Sequence, residues 1–128
     1  MRELKFRVWL TEEKQMADVY GLYFFTRDRK PTLETWYLIG SRLDIPKKGF
    51  EVMQYIGLND RYGREIYEGD IVRNVFGDVY VVKWISNLAA FKGVSLDKTF
   101  AIDLAYASDL LEVIGNIYEN PELLGGEK

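Results

Sequence analysis

The stretch Met53-Gln54-Tyr55-Ile56-Gly57-Leu58-Asn59-Asp60-Arg61-Tyr62-Gly63-Arg64-Glu65-Ile66-Tyr67-Glu68-Gly69-Asp70-Ile71-Val72-Arg73 decides the fold. Its glycines at 57, 63 and 69 punctuate short runs rich in β-forming residues, and the pattern reads as two tight turns joined by a strand. In Asp60-Arg61-Tyr62-Gly63 an aspartate stands where a type I turn takes a side-chain acceptor, and glycine stands where the chain leaves with positive φ. In Tyr67-Glu68-Gly69-Asp70 the glycine holds the third position, which a type II turn reserves for a residue without a Cβ.

Working outward, the rhythm of short strands continues on both sides. Toward the C-terminus come a strand over 70–75, a hairpin turn at Phe76-Gly77-Asp78, and Val79-Tyr80-Val81-Val82-Lys83-Trp84-Ile85, the strongest β signal in the chain. A loop over 86–90, a short strand over 91–94, a turn at Leu96-Asp97-Lys98 and a strand over 99–104 follow. Ser108-Asp109-Leu110 suits one helical turn before a strand over 111–114, and Asn120 is placed to cap a short helix that has Pro121 first and Glu122 beside its positive end.

Toward the N-terminus, Leu4, Phe6, Val8 and Leu10 alternate with charged residues, the pattern of a half-buried strand. The run from Met16 to Phe25 pairs back on it as a hairpin, with Gly21 marking a bulge. Arg27 to Pro31 is a charged loop, 33–39 returns to β-type residues that suit a strand or a buried helical turn, 40–49 with Pro46-Lys47-Lys48-Gly49 reads as a surface loop, and 50–56 is a strand entering the central motif. The expected fold is mainly β with small helical content: an N-terminal β-rich subdomain over 1–56, and over 57–128 antiparallel strands closing into a small barrel with a capped helical turn at its end.

A chain of 128 residues is long enough for one cooperative unit. With 48% apolar residues and 15% aromatic residues it can fill a core, so global disorder is not expected. There is no cysteine and no histidine, which removes thiolate and imidazole nucleophiles, the Ser-His-Asp triad and sulfur or imidazole metal sites. An enzyme built from this chain would rest on carboxylates, lysine, tyrosine or an oxygen-ligated metal. Absent cysteine suits a reducing compartment. The formal charge of −3 argues against a surface that binds polyanions all round, and no window approaches the roughly 20 apolar residues of a membrane span.

Three blocks carry a resemblance. Lys5-Phe6-Arg7-Val8-Trp9, the central Gln54 to Asp60 with Gly63 to Val72, and Val113-Ile114-Gly115-Asn116-Ile117-Tyr118-Glu119-Asn120-Pro121-Glu122-Leu123-Leu124 together resemble the YopX family of phage and prophage proteins, in the family's order and across nearly the whole chain. The resemblance implies a cytoplasmic protein of a bacterial host and a mostly β fold with an SH3-like barrel in the C-terminal part. It carries over no catalytic residue.

Three constellations have a functional reading beside a structural one. Asp60, Glu65, Glu68 and Asp70 form the only carboxylate cluster able to hold Mg²⁺ for phosphoryl transfer; turn chemistry accounts for both aspartates without a metal. Arg61, Arg64, Tyr67, Arg73, Lys83 and Trp84 could make a basic and aromatic surface for single-stranded nucleic acid. The structural reading has the aromatic rings packed on the core and the cations solvating its edge. Trp9, Trp36 and Trp84 read as core or inter-subdomain anchors, Arg27, Arg29, Lys30, Lys47 and Lys48 as loop charges, and Tyr20 to Phe25 as a run too apolar to face water in a monomer. The leading expectation is a non-enzymatic module that binds a protein partner, including a second copy of itself, with no cofactor and no metal. Nucleic-acid binding is the alternative and a Mg²⁺ enzyme the third reading.

Overall fold

The structure is a computed structural model that describes residues 3–19, 37–39, 42–44 and 49–125. The chain divides into two compact units, Lys5–Gln54 and Tyr55–Lys128 together with Met1–Leu4. Gly21, the loop from Arg27 to Pro31, Trp36, Lys47, Lys48 and the Tyr20 to Phe25 run lie outside the described residues.

In the first unit β1 (Phe6–Leu10) pairs antiparallel with β2 (Gln15–Asp18) on one edge, Val8 facing Ala17. On its other edge it meets the first half of β5 (Phe50–Asn59), where Val8 faces Val52. Alternation along β1 turns Val8 inward, and it is wholly buried among Leu10, Ala17, Val19, Phe50 and Val52. The polar connection after Leu10 is a turn in which the Lys14 N–H donates to the Leu10 carbonyl at 2.7 Å. β3 (Tyr37–Ile39) and β4 (Arg42–Asp44) form a separate antiparallel hairpin with Leu38 facing Leu43. The expected loop over 40–49 thus contains a strand: Arg42-Leu43-Asp44 has the polar, apolar, polar alternation of one, which the Pro, Lys and Gly composition farther on obscures.

The second unit begins within β5, whose second half pairs with β6 (Glu65–Tyr67), Tyr55 facing Tyr67 and Asn59 facing Glu65 with a register shift between. The expected strand end at Ile56 is passed because Gly57, at φ 92°, takes up the irregularity and lets the strand continue to Asn59. A five-stranded antiparallel sheet follows in the order β10 (Ala101–Ile102), β9 (Ala90–Ser95), β8 (Val79–Ile85), β7 (Asp70–Asn74), β11 (Leu111–Asn116). The sheet curls into a half-barrel, with which an SH3-like arrangement is compatible.

On the concave side Ile66, Val72, Tyr80, Val82, Leu104, Ala107 and Leu111 form the core, and Ile56, Phe91, Ile102 and Val113 pack around it. Period-2 alternation along β8 explains the choice: Tyr80 and Val82 face this core and Val81 faces the opposite side. The expected strand over 99–104 contracts to Ala101–Ile102. Ser95 Oγ accepts the Thr99 and Phe100 N–H groups at its start, and at its end the buried Leu104 carbonyl accepts the Ala107 N–H and turns the chain into α1 (Ala107–Leu110). Near the C-terminus Gly115 lies at a register shift of β11, where a Cβ would stand 2.5 Å from Asn120 Oδ1. Asn120 precedes a 3-10 turn, Pro121–Leu123, without capping it through its side chain. Its Oδ1 instead accepts the Asn116 N–H at 3.1 Å, a donor that the bulged strand leaves to be satisfied.

Candidate functional site

The central motif folds as two turns whose aspartates face their own backbone. The Gly63 N–H donates to the Asp60 carbonyl at 3.0 Å and Gly63 stands at φ 83°. Asp60 Oδ1 accepts the N–H groups of Tyr62 and Arg64, each at 2.9 Å. Asp60 Oδ2 accepts the Val113 N–H at 2.9 Å, from a strand 53 residues away. The Arg61 N–H donates to the Leu111 carbonyl at 2.8 Å, so main chain and side chain together fasten this turn to β11. Asp60 is 2% exposed. Burial pushes its carboxyl upward, but the N–H groups of Val113, Arg64 and Tyr62, with the Arg64 charge, outweigh that and hold it below the usual aspartate range.

The second turn repeats the device. Asp70, 1% exposed, accepts the Tyr67 N–H on Oδ2 at 2.7 Å, and Gly69 stands at φ 90°. The Gly69 N–H donates to the Val82 carbonyl at 2.8 Å and its carbonyl accepts the Ile117 N–H at 2.9 Å, joining the turn to β8 and to the residue after β11. Glu65 Oε1 accepts the Tyr67 hydroxyl at 3.1 Å. Glu65 and Glu68 are half-buried. Among the described residues no group of three or more acidic side chains is placed to hold a metal ion.

The depressed Asp60 carboxyl has a consequence for acid stability. A group whose folded pKa lies below its unfolded value contributes stability that is complete above the unfolded pKa of about 3.9 and is lost as pH falls through the folded pKa. Urea unfolding at a series of pH values is therefore expected to show stability falling below about pH 4. The Asp60→Asn variant should fall less steeply there, and an unchanged slope would contradict the assignment.

The six residues of the basic and aromatic reading are distributed as follows. Arg61 is exposed, its guanidinium 5.4 Å from the Tyr62 ring centroid. Arg64 Nη1 donates to the Val113 carbonyl at 3.1 Å. The Tyr67 ring lies 5.7 Å from Tyr55. Arg73 pairs with Glu112 at 3.2 Å across β7 and β11. Lys83 and Trp84 are neighbours on β8 and so point to opposite faces of the sheet. Trp84 is 46% exposed, its ring set edge-on to Phe91 at 5.0 Å, and is not the core anchor expected of it. The reason is its place at the far end of β8, beyond Tyr80 and Val82, where its cross-strand neighbour Phe91 is itself only half-buried. The motif thus brings Arg61 and Arg64 to one turn and leaves Lys83 and Trp84 on different surfaces.

Sequence reasoning passed over three clasps of the same kind as Asp60. Asn74 Oδ1 accepts the N–H groups of Phe76 and Asp78 around Gly77. Asn116 Oδ1 accepts those of Tyr118 and Glu119. Asp97 Oδ1 accepts Ser95 Oγ–H and the hydroxyl and N–H of Thr99. Each has an Asn or Asp at the first or second position of a short non-repetitive segment, a signal that marks such turns.

With this geometry in place, the family model described as YopX protein matches residues 5–125. The chain belongs to the YopX family. Among solved structures, this YopX-family chain is similar to protein EF1440 from Enterococcus faecalis, with 27% identity, TM-score 0.62, and coverage of 98% of this chain and 100% of that one. It is similar in fold to protein yopX from Bacillus subtilis, with 23% identity, TM-score 0.57, and full coverage of both chains. No curated protein matches it. Among the described residues no helix is long and apolar enough to cross a membrane.

Proposed function

We propose that this YopX-family protein is a non-enzymatic interaction module of phage or prophage origin, working in the cytoplasm of a bacterial host. It binds a protein partner, a second copy of itself included, at the β9 edge of the five-stranded sheet. The observation that carries this reading is the brevity of β10, which meets β9 only at Gly93 and Val94 and leaves the first half of β9, Ala90 to Lys92, without a described strand on that side. A groove of about 230 Å³ runs there, with Leu58, Phe91 and Ala105 in its walls. Trp84 and Leu88, 46% and 56% exposed, stand on the strand and connection that lead into β9. Asp103, ion-paired to Lys92, lies along this edge, and an edge without a described strand partner beside apolar side chains is the template that strand addition uses. The non-enzymatic part is supported by the occupation of the Asp60 and Asp70 carboxylates with backbone N–H groups, and the compartment by a chain without cysteine.

Light scattering on a sizing column at micromolar concentration is expected to give a mass above the 14.9 kDa of one chain, reduced toward it by Trp84→Lys. A clean monomer removes self-association. In gel shifts at low salt the protein should leave single- and double-stranded nucleic acid unshifted; binding that weakens steeply with salt would favour the nucleic-acid reading instead.

A further inference from the structure

On the opposite face of the sheet lies a pocket of about 240 Å³ whose floor and walls are Val81, Val94, Leu96, Ile117 and Leu124. Among the described residues its charged lining residues are Lys83 and Lys98. Among the described residues no carboxylate joins them and neither lysine forms an ion pair. In a chain of net charge −3, two unneutralised cations over an aliphatic floor are an arrangement that selects a ligand of one sign and one polarity.

The backbone at Lys98 adds a separate observation. Lys98 stands at φ 63°, in the left-handed region where glycine or asparagine is the cheaper residue. The Ser95 carbonyl accepts the Lys98 N–H at 2.9 Å, and the clasp of Asp97 with Ser95 and Thr99 on either side fixes the turn. Turn geometry alone asks for no lysine there. Lys14 and Ala89 share this left-handed region, so the conformation positions the Lys98 side chain at the pocket and does not by itself mark a function.

We infer that this pocket binds a small aliphatic acid, its hydrocarbon chain on Val81, Val94, Ile117 and Leu124 and its anionic end at Lys83 and Lys98. The volume is below the ~300–1,000 Å³ typical of sites for drug-sized molecules, which suits a short alkyl carboxylate. An alkyl cation of the same length would bury the same chain and meet two like charges. The site shares no lining residue with the groove at the edge assigned above to protein contacts and does not depend on that assignment.

The test is calorimetric titration of the full chain with octanoate and with octylammonium. Octanoate is expected to bind saturably, one per chain, and at least about tenfold more tightly than octylammonium. Lys98→Gly and Lys83→Met, the latter keeping the apolar stem, should each weaken octanoate about tenfold or more. Lys98→Gly should do so with a melting temperature no lower than the parent's, since glycine suits the left-handed position, which separates loss of the site from loss of the fold. Absence of saturable octanoate binding at millimolar concentration, octylammonium binding as tightly, or full affinity in both variants would overturn the inference.

Discussion

Replacing Asp60 by alanine is expected to lower unfolding free energy in urea by about 3–5 kcal/mol, a large share of the 5–15 kcal/mol that typical domains possess. The carboxylate accepts three backbone N–H groups, two within its own turn and one from Val113 on β11. Hydrogen bonds to a charged acceptor contribute about 1.5–3 kcal/mol each, and a buried donor left without a partner costs about 1–3 kcal/mol. The sum overstates the effect because Tyr62 and Arg64 are exposed residues whose N–H groups water can reach. The Val113 N–H is less accessible, so the larger part of the loss belongs to it. Asp60→Asn keeps one acceptor oxygen and should fall between alanine and the parent. A loss below about 1 kcal/mol for alanine would show that the turn closes without its side chain.

The second large effect lies on β6, the strand that follows the Asp60 turn. Ile66, between the two turns, is wholly buried and packs in the cluster with Val72, Val82 and Leu111. Ile66→Ala removes apolar contacts and leaves a cavity that the surrounding strands, each hydrogen-bonded to a neighbour, can fill only in part. A loss of about 2–5 kcal/mol is expected, seen as a lower urea midpoint at an unchanged slope. Val75, 49% exposed in the turn after β7, which ends at Asn74 and not at Val75 as expected, provides the contrast, and Val75→Ala should change stability by less than about 0.5 kcal/mol.

These two residues show what sequence reading reaches and where it stops. Gly63, Gly69 and Gly77 each adopt the positive φ that their turn positions require, and β8 runs over the residues whose β-branched and aromatic composition predicts it. Such features are local, so neighbouring residues suffice to disclose them. That Asp60 is a turn acceptor is legible for the same reason. Its bond to Val113 is not, since nothing in the spacing of residues 53 apart states that β11 returns beside the turn.

The misreadings share that origin. Asn120 looks like a helix cap until the bulged Asn116 N–H claims its side chain, and Trp84 looks like a core anchor until the strand places it past the last inward position. Lys83 and Trp84 look like parts of one patch because they are adjacent in sequence, and adjacency on a strand sends them to opposite faces. The pocket around Lys83 and Lys98 has no sequence signature at all, because β8, β9 and the segment after β11 supply its walls separately.

The central claim is that the Asp60 carboxylate is committed to holding the turn against β11 and is not part of a reactive or metal-binding centre. It is tested most directly by following the Asp60 carboxyl carbon by NMR through an acid titration, with and without Mg²⁺. The account predicts a midpoint below the ordinary aspartate value of about 3.9, unmoved by the cation. A midpoint at or above that value, or one displaced when Mg²⁺ is added, would contradict it.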